Sequence, residues 1–278
     1  MSQKEKLRHL FRIFVRSKSL FACFSLLLSL LLIVGSTYAW ITSSDERINQ
    51  AEKNTRRLSA VIEEDFTEVF HWAPGTEQEK NIRVKNNGEF PAIVRVSLKE
   101  FFLGFETDVT DNHGAGDGNG NLKIYGQSST TPVDVKNTST WVVGNTYGRN
   151  ATTYYKANLV LLDQSYTYKG TRTKPLPAIV LNFQAGKVFD QTAPPSASEK
   201  DYWYYEDGYF YYSETLTPND VTENLLDSVS LDAAYANRYK GALYKLVPEM
   251  DAHDVSQSLF SDWGIPAGSP IRTMYTLY

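Results

Sequence analysis

The sequence predicts an all-β protein, a sandwich or barrel of short strands with one or two short helices, set behind an N-terminal apolar segment. Three observations carry this. From about Ala60 onward, runs of four to eight β-branched and aromatic residues alternate with turn residues, the texture of stacked antiparallel strands. Two of those runs flank two-residue turn signals, Asn87-Gly88 and Asp207-Gly208. Ahead of them, residues 20–34 read LFACFSLLLSLLLIV, nearly free of polar side chains.

The apolar run follows six of the chain's 28 basic residues, Lys4, Lys6, Arg8, Arg12, Arg16 and Lys18, with Glu5 the one acid among residues 1–40. The remaining residues hold an acidic excess, and the whole 278-residue chain has a formal charge of −4. A basic, apolar leader before an acidic body is the arrangement of an exported protein. Neutralising phosphates takes a concentrated surplus of Lys and Arg, so nucleic-acid binding is not expected. Spanning a bilayer takes roughly 20 apolar residues, which the run reaches only if extended to Trp40. Both a cleaved signal peptide and a retained membrane helix are compatible, and the small residues Gly35, Ser36, Thr37 and Ala39 favour cleavage. The only cysteine, Cys23, lies inside the run. A chain cut near Ala39 would have neither disulfide nor thiolate chemistry.

Residues 41–60 read as a polar arm and 61–278 as the sandwich domain. In the first strand pair, Ile82 and Val84 lead through Asn87-Gly88 to Ala92, Val94, Val96 and Leu98, which alternate with Ile93, Arg95, Ser97 and Lys99. This predicts a hairpin with one apolar face. In YWYYEDGYFYY (202–212) the two-residue turn predicts the pairs Trp203–Tyr212, Tyr204–Tyr211, Tyr205–Phe210 and Glu206–Tyr209. Trp203, Tyr205, Phe210 and Tyr212 then share one face and Tyr204 and Tyr211 the other. Aromatics on both faces call for a cover on the outer one, from this chain or a partner, which makes these six a candidate aromatic interface. Residues 158–162, 178–183 and 242–247 are further strands, and 192–198 a Pro-rich linker. Helices are expected from Thr217 through Leu226, with Pro218 at the first position, and over 251–263, where Val255, Leu259 and Trp263 recur and Gly264 ends the run.

The chemistry-bearing residues are sparse. His9, His71, His113 and His253 are scattered, with no His-Glu-x-x-His, Gly-x-Ser-x-Gly or Gly-rich phosphate loop. Neither an enzyme nor a bound cofactor is expected. One weak calcium candidate exists, the oxygens of Asp108, Asp111, Asp117 and Asn119 in a Gly-rich segment, and it fails the EF-hand spacing.

The stretch VGSTYAWITSSDERIN, with Gly35, Thr37, Tyr38, Ala39 and Trp40, resembles signals cut by the SipW-type signal peptidase of Gram-positive bacteria. Trp72-Ala73-Pro74-Gly75 with IRVKNNGEFPAIVRVSLKE is similar to the opening of TasA/camelysin-type exported proteins. YFYYSETLTPNDVTENLLDSVSL and YKGALYKLVPEMDAHDVSQSLFSDWG resemble the alternate signal-mediated exported proteins of the same group. The resemblance covers the leader and about half the body. It implies a jelly-roll-like β-sandwich that is exported, released by that peptidase near Thr37, Ala39 and Trp40, and built into extracellular matrix or biofilm fibres. Its partners would be further copies or related matrix subunits, with the membrane touched only by the N-terminal segment. In such fibres the N-terminal segment of one subunit adds as a strand to its neighbour, and Leu58, Val61, Ile62 and Phe66 occupy the matching position here. Camelysin-type relatives carry a metallopeptidase label, for which this sequence offers no ligand spacing. The alternatives are a secreted metalloprotease of that type and a membrane-anchored adhesin. IRTMYTLY (271–278) holds no sorting motif, so covalent wall attachment is not expected.

Overall fold

The computed structural model describes residues 58–65, 75–110, 120–235 and 239–275, all within the unit Thr55–Tyr278; the other unit, Met1–Asn54, lies outside the described residues. The strands are β1 (Ala60–Asp65), β2 (Glu77–Asn86), β3 (Ala92–Phe105), β4 (Thr146–Asn150), β5 (Thr153–Ser165), β6 (Ile179–Phe183), β7 (Val188–Asp190), β8 (Trp203–Glu206), β9 (Tyr209–Tyr212), β10 (Leu226–Leu231) and β11 (Leu243–Asp254). Two short helices follow, α1 (Leu259–Asp262) and α2 (Ile271–Met274). One sheet has the order β1-β2-β10-β6, the other β4-β5-β3-β9-β8-β7, with β11 also paired to β3. The sheets pack face to face as a β-sandwich, the class that the strand texture predicts. Between them lie Ile82, Val84, Ile179, Leu181, Leu226 and Val229 from the first sheet and Ala92, Val94, Val96, Leu98, Phe102, Trp203, Phe210 and Leu246 from the second.

The long strand β3 organises the second sheet. Its even-numbered side chains face the sandwich core. Its odd-numbered ones meet two smaller clusters on the outer face. Ile93 packs there with Tyr204, Tyr211, Leu259, Ile265, Ile271 and Tyr275, so the C-terminal segment roofs one end. Leu103 and Phe105 pack with Val133, Trp141, Tyr155 and Leu243, roofing the other. β11 follows β3 along its whole length, from Leu243 opposite Leu103 to Asp254 opposite Ala92. Pro248, opposite Leu98, has no N–H to offer a further strand on that edge.

Several sequence expectations are met at the level of single pairs. The 202–212 hairpin has all four expected pairs, with Asp207 at φ 48° and Gly208 at φ 87° as a two-residue turn of this hand requires. Strands stand at 158–162, 178–183 and 242–247, each within a longer or slightly shifted element. The Pro-rich 192–198 is a loop inside the domain, joining β7 to β8, which pair in parallel.

Three expectations are corrected. The Asn87-Gly88 pair does not make a hairpin: β2 and β3 belong to different sheets, and their apolar faces meet across the core. Asn86, fully buried, turns this corner. Its Nδ2 donates to the carbonyls of Phe90 at 2.7 Å and Leu216 at 2.9 Å, while its Oδ1 accepts from the Gly88 N–H at 2.8 Å. Thr217–Leu226 is not a helix. Pro218 and Asn219 are the central residues of a turn with Asn219 at φ 73°, closed by the Asp220 N–H donating to the Thr217 carbonyl at 3.0 Å. Leu226 then opens β10. Over 251–263, pairing with β3 holds the chain extended to Asp254, leaving only Leu259–Asp262 helical, and Gly264 does stop it in the left-handed region at φ 67°.

A charge with no local signal in the sequence sits in the core. Glu100, on the core face of β3, is fully buried and pairs with both Nε and NH2 of Arg172, the Nε contact at 2.8 Å. The Tyr244 hydroxyl donates to the same carboxylate at 2.8 Å, and Arg172 NH1 donates to the Ile179 carbonyl at 2.7 Å. Burial pushes the Tyr244 phenol well above its ordinary range, so it stays a donor.

Two outcomes are expected in denaturant unfolding. Asn86→Ala removes one acceptor and two donations, stranding buried backbone groups, and costs roughly 3 kcal/mol. Arg172→Met leaves buried Glu100 without its ionic partner and costs about 3–5 kcal/mol, most of which the double variant Glu100→Met/Arg172→Met restores.

Candidate functional site

Three places in the described residues bear on function: the β1 edge, the aromatic hairpin and the cluster around Arg95. The first is built by local pairing. β1 runs antiparallel to β2 from Ala60 opposite Asn86 to Asp65 opposite Asn81, and among the described residues β2 is its only strand partner. Ala60 and Ile62 turn toward the main core without being fully buried, whereas Leu58 and Val61 are 37% and 39% exposed. The Glu63–Arg83 ion pair, at 2.8 Å between half-exposed side chains, fixes register and adds at most about 1 kcal/mol. Val61 and Ile62, two of the residues expected to serve in strand addition, lie in β1 and pair with β2 of the same chain. Phe66 and residues 41–57 lie outside the described residues.

Under this edge, β2 turns Lys80, Ile82, Val84 and Asn86 inward. Lys80 is almost fully buried. Desolvation first, and the nearby charge of Lys245 second, pull its ammonium down to about 7. In the unfolded chain the same amine holds its proton to an ordinary lysine value.

The aromatic hairpin is interior. Trp203, Phe210 and Tyr212 lie in the sandwich core with Tyr205 beside them, and Tyr204 and Tyr211 lie under the C-terminal segment. The cover that the sequence demanded is thus this chain itself, and the candidate interface at these six residues is corrected to a two-sided core. The packing is ring against ring, with Trp203 and Tyr212 centroids 5.0 Å apart and Tyr205 and Phe210 4.8 Å apart. The Tyr275 hydroxyl donates to the Tyr212 carbonyl at 2.6 Å, and burial raises its phenol well above the usual range.

Beside it, Arg95 projects from the outer face of β3 with its guanidinium 3.9 Å from the Tyr209 ring centre and 4.6 Å from that of Trp263. Its NH2 pairs with Asp251 at 3.0 Å. His253 stands next along β11, its Nδ1 2.7 Å from Asp254 and its Nε2 2.9 Å from Asp262 on α1. The Asp262 carboxyl is held below its ordinary value by that imidazole first and by Ser258 second. The arrangement clamps α1 to β11. The two ring nitrogens point apart, and among the described residues no group of three His, Cys, Asp or Glu converges on one point to hold a metal.

Of the remaining sequence candidates, Thr37, Ala39 and Trp40 at the expected cleavage point lie outside the described residues, as do Asp111, Asp117 and Asn119. Asp108 is described; its carboxylate accepts from the Thr110 hydroxyl at 2.6 Å and N–H at 2.9 Å, which lowers its pKa. No helix among the described residues is long and apolar enough to cross a membrane, and the apolar run 20–34 lies outside them. No family model matches this chain, and neither a curated protein nor a solved structure does.

The buried amine at Lys80 sets a pH dependence. Its proton affinity is lower in the folded chain, so the unfolded state binds the extra proton between about pH 7 and the ordinary lysine value. Folding stability therefore rises as pH rises from 7.5 to 9.5, by up to about 1.4 kcal/mol per unit from this group. In urea melts across that window, Lys80→Met is expected to flatten the slope and to raise stability at pH 7.5.

Proposed function

We propose that this chain is an exported, non-enzymatic structural subunit of an extracellular matrix, assembled by passing an N-terminal strand between copies. The observation that carries the reading is the position of β1, a six-residue edge strand paired, among the described residues, with β2 alone and preceded by a polar segment. An edge of this kind is where one chain pairs with another at least cost, because main-chain hydrogen bonds are exchanged one for one. The other long edge is less suited, since Pro248 interrupts β11. At the far side of the first sheet, Arg172 already occupies the Ile179 carbonyl of β6. The basic, apolar leader supports export by a SipW-type signal peptidase, with the membrane met only through that leader.

The test compares residues 41–278 with two truncations, one beginning at Leu58 and one at Phe66, by light scattering and negative-stain microscopy over days. Filaments are expected from 41–278 and none from the chain that begins at Phe66, which lacks β1. If all three remain monomeric, strand passage is wrong. Stoichiometric zinc with chelator-sensitive cleavage of casein would replace this reading with the metalloprotease one, and an intact Met1 on the native protein with an anchored adhesin.

A further inference from the structure

The C-terminal roof of the second sheet contains a cleft of about 500 Å³, lined by Gln257, Phe260, Ser261, Arg272 and Tyr275. Arg272 is held there as a fixed fork. Its Nε donates to the carbonyls of Ile265 at 3.2 Å and Pro266 at 2.9 Å, and its NH2 to Ile265 at 2.6 Å. The guanidinium carbon lies 4.5 Å from the centre of the Phe260 ring. Several basic side chains among the described residues stand beside a carboxylate, as Arg83, Arg95, Lys99, Lys169, Arg172 and Lys187 do. Arg272 has none among the described residues. Asp262, one residue beyond Ser261, is turned to His253 instead.

A positive group that is already oriented and desolvated on one face costs little to bind an anion, and with the Nε–Nη2 edge spent on the two carbonyls, the Nη1–Nη2 edge is the planar fork left for a carboxylate. Its neighbours add a second requirement. The Ser261 hydroxyl spends its hydrogen on the Ser258 carbonyl at 2.7 Å, so its oxygen is left to accept, and the Gln257 amide both donates and accepts. Acceptors beside a carboxylate fork suit hydroxyl groups next to the ligand's carboxylate. We infer that this cleft binds a carboxylate-bearing sugar, a uronic acid residue, with Arg272 on the carboxylate and Ser261 and Gln257 on the ring hydroxyls. The cleft sits on the second sheet, so strand pairing at β1 in the first leaves it open, and the inference does not depend on assembly.

Saturation-transfer NMR on the full chain in detergent micelles, titrated with glucuronate, glucose and acetate, tests it. Glucuronate is expected to bind with a Kd on the order of 1 mM, the scale of a ligand of this size, with glucose silent and acetate at least several-fold weaker. Arg272→Gln is expected to abolish binding; because Arg272 also ties down two carbonyls, Ser261→Ala and Gln257→Ala are read beside it, each losing several-fold with an unchanged melting temperature. No glucuronate signal at 20-fold the expected Kd overturns the site. Equal binding of acetate overturns the sugar, and equal binding of glucose the role of the charge.

Discussion

Everything in this fold follows from burying both faces of one strand. β3 presents Val94, Val96, Leu98 and Phe102 to the sandwich and Ile93, Leu103 and Phe105 to the outside, and neither set tolerates water at little cost. An ordinary sandwich covers one face of each sheet and leaves the other wet. Here the outer face needs roofs, and the chain supplies one from the segment after β11 and another from the long connection between β3 and β4. The short helices α1 and α2 belong to the first roof and have no fold role apart from it. The clamp of Arg95 between Tyr209 and Trp263, with Asp251 on its edge, joins the roof to the strand it covers.

The same strand explains where charge is allowed inside. Glu100 occupies a core-facing register position that alternation alone would give to an aliphatic residue. It is tolerated because Arg172 arrives with a matching fork and Tyr244 adds a third hydrogen bond, so that neither carboxylate oxygen is left without a donor. The gain is one of connection: Arg172 also holds the Ile179 carbonyl, tying the β5–β6 loop, β3 and β6 through a single side chain. Lys80 is a second buried charge, and its burial lowers the proton affinity of its amine.

What was legible in the sequence was local. The Asp207-Gly208 turn fixed four cross-strand pairs by counting, since a two-residue loop admits one register. Gly264 ended its helix because only a residue without Cβ enters that conformation freely. The two-faced aromatic pattern correctly demanded a cover, although only contacts remote in sequence decide what supplies it. The misreadings have one origin. Asn87-Gly88 reads as a hairpin because alternation on both sides cannot distinguish strands lying side by side from strands facing each other across a core. At 217–226, Pro followed by Asn favoured a tight turn over a helix, and burial of Leu225 and Leu226 supplied the false periodicity. The Glu100–Arg172 pair carries no local signal, because it joins residues 72 apart in the chain.

The pairing of β3 with β11 also sets a timetable. Arg95 and Asp251 are 156 residues apart, and every rung of that ladder spans a comparable length. A chain emerging from the N-terminus presents β3 long before it can present β11, so the central sheet has no complete state until nearly the last residue is available. Contacts this distant close slowly, since most of the loop entropy must be lost before they return anything. An unfinished molecule is therefore an open, sticky strand, and a finished one is closed at a single late stroke.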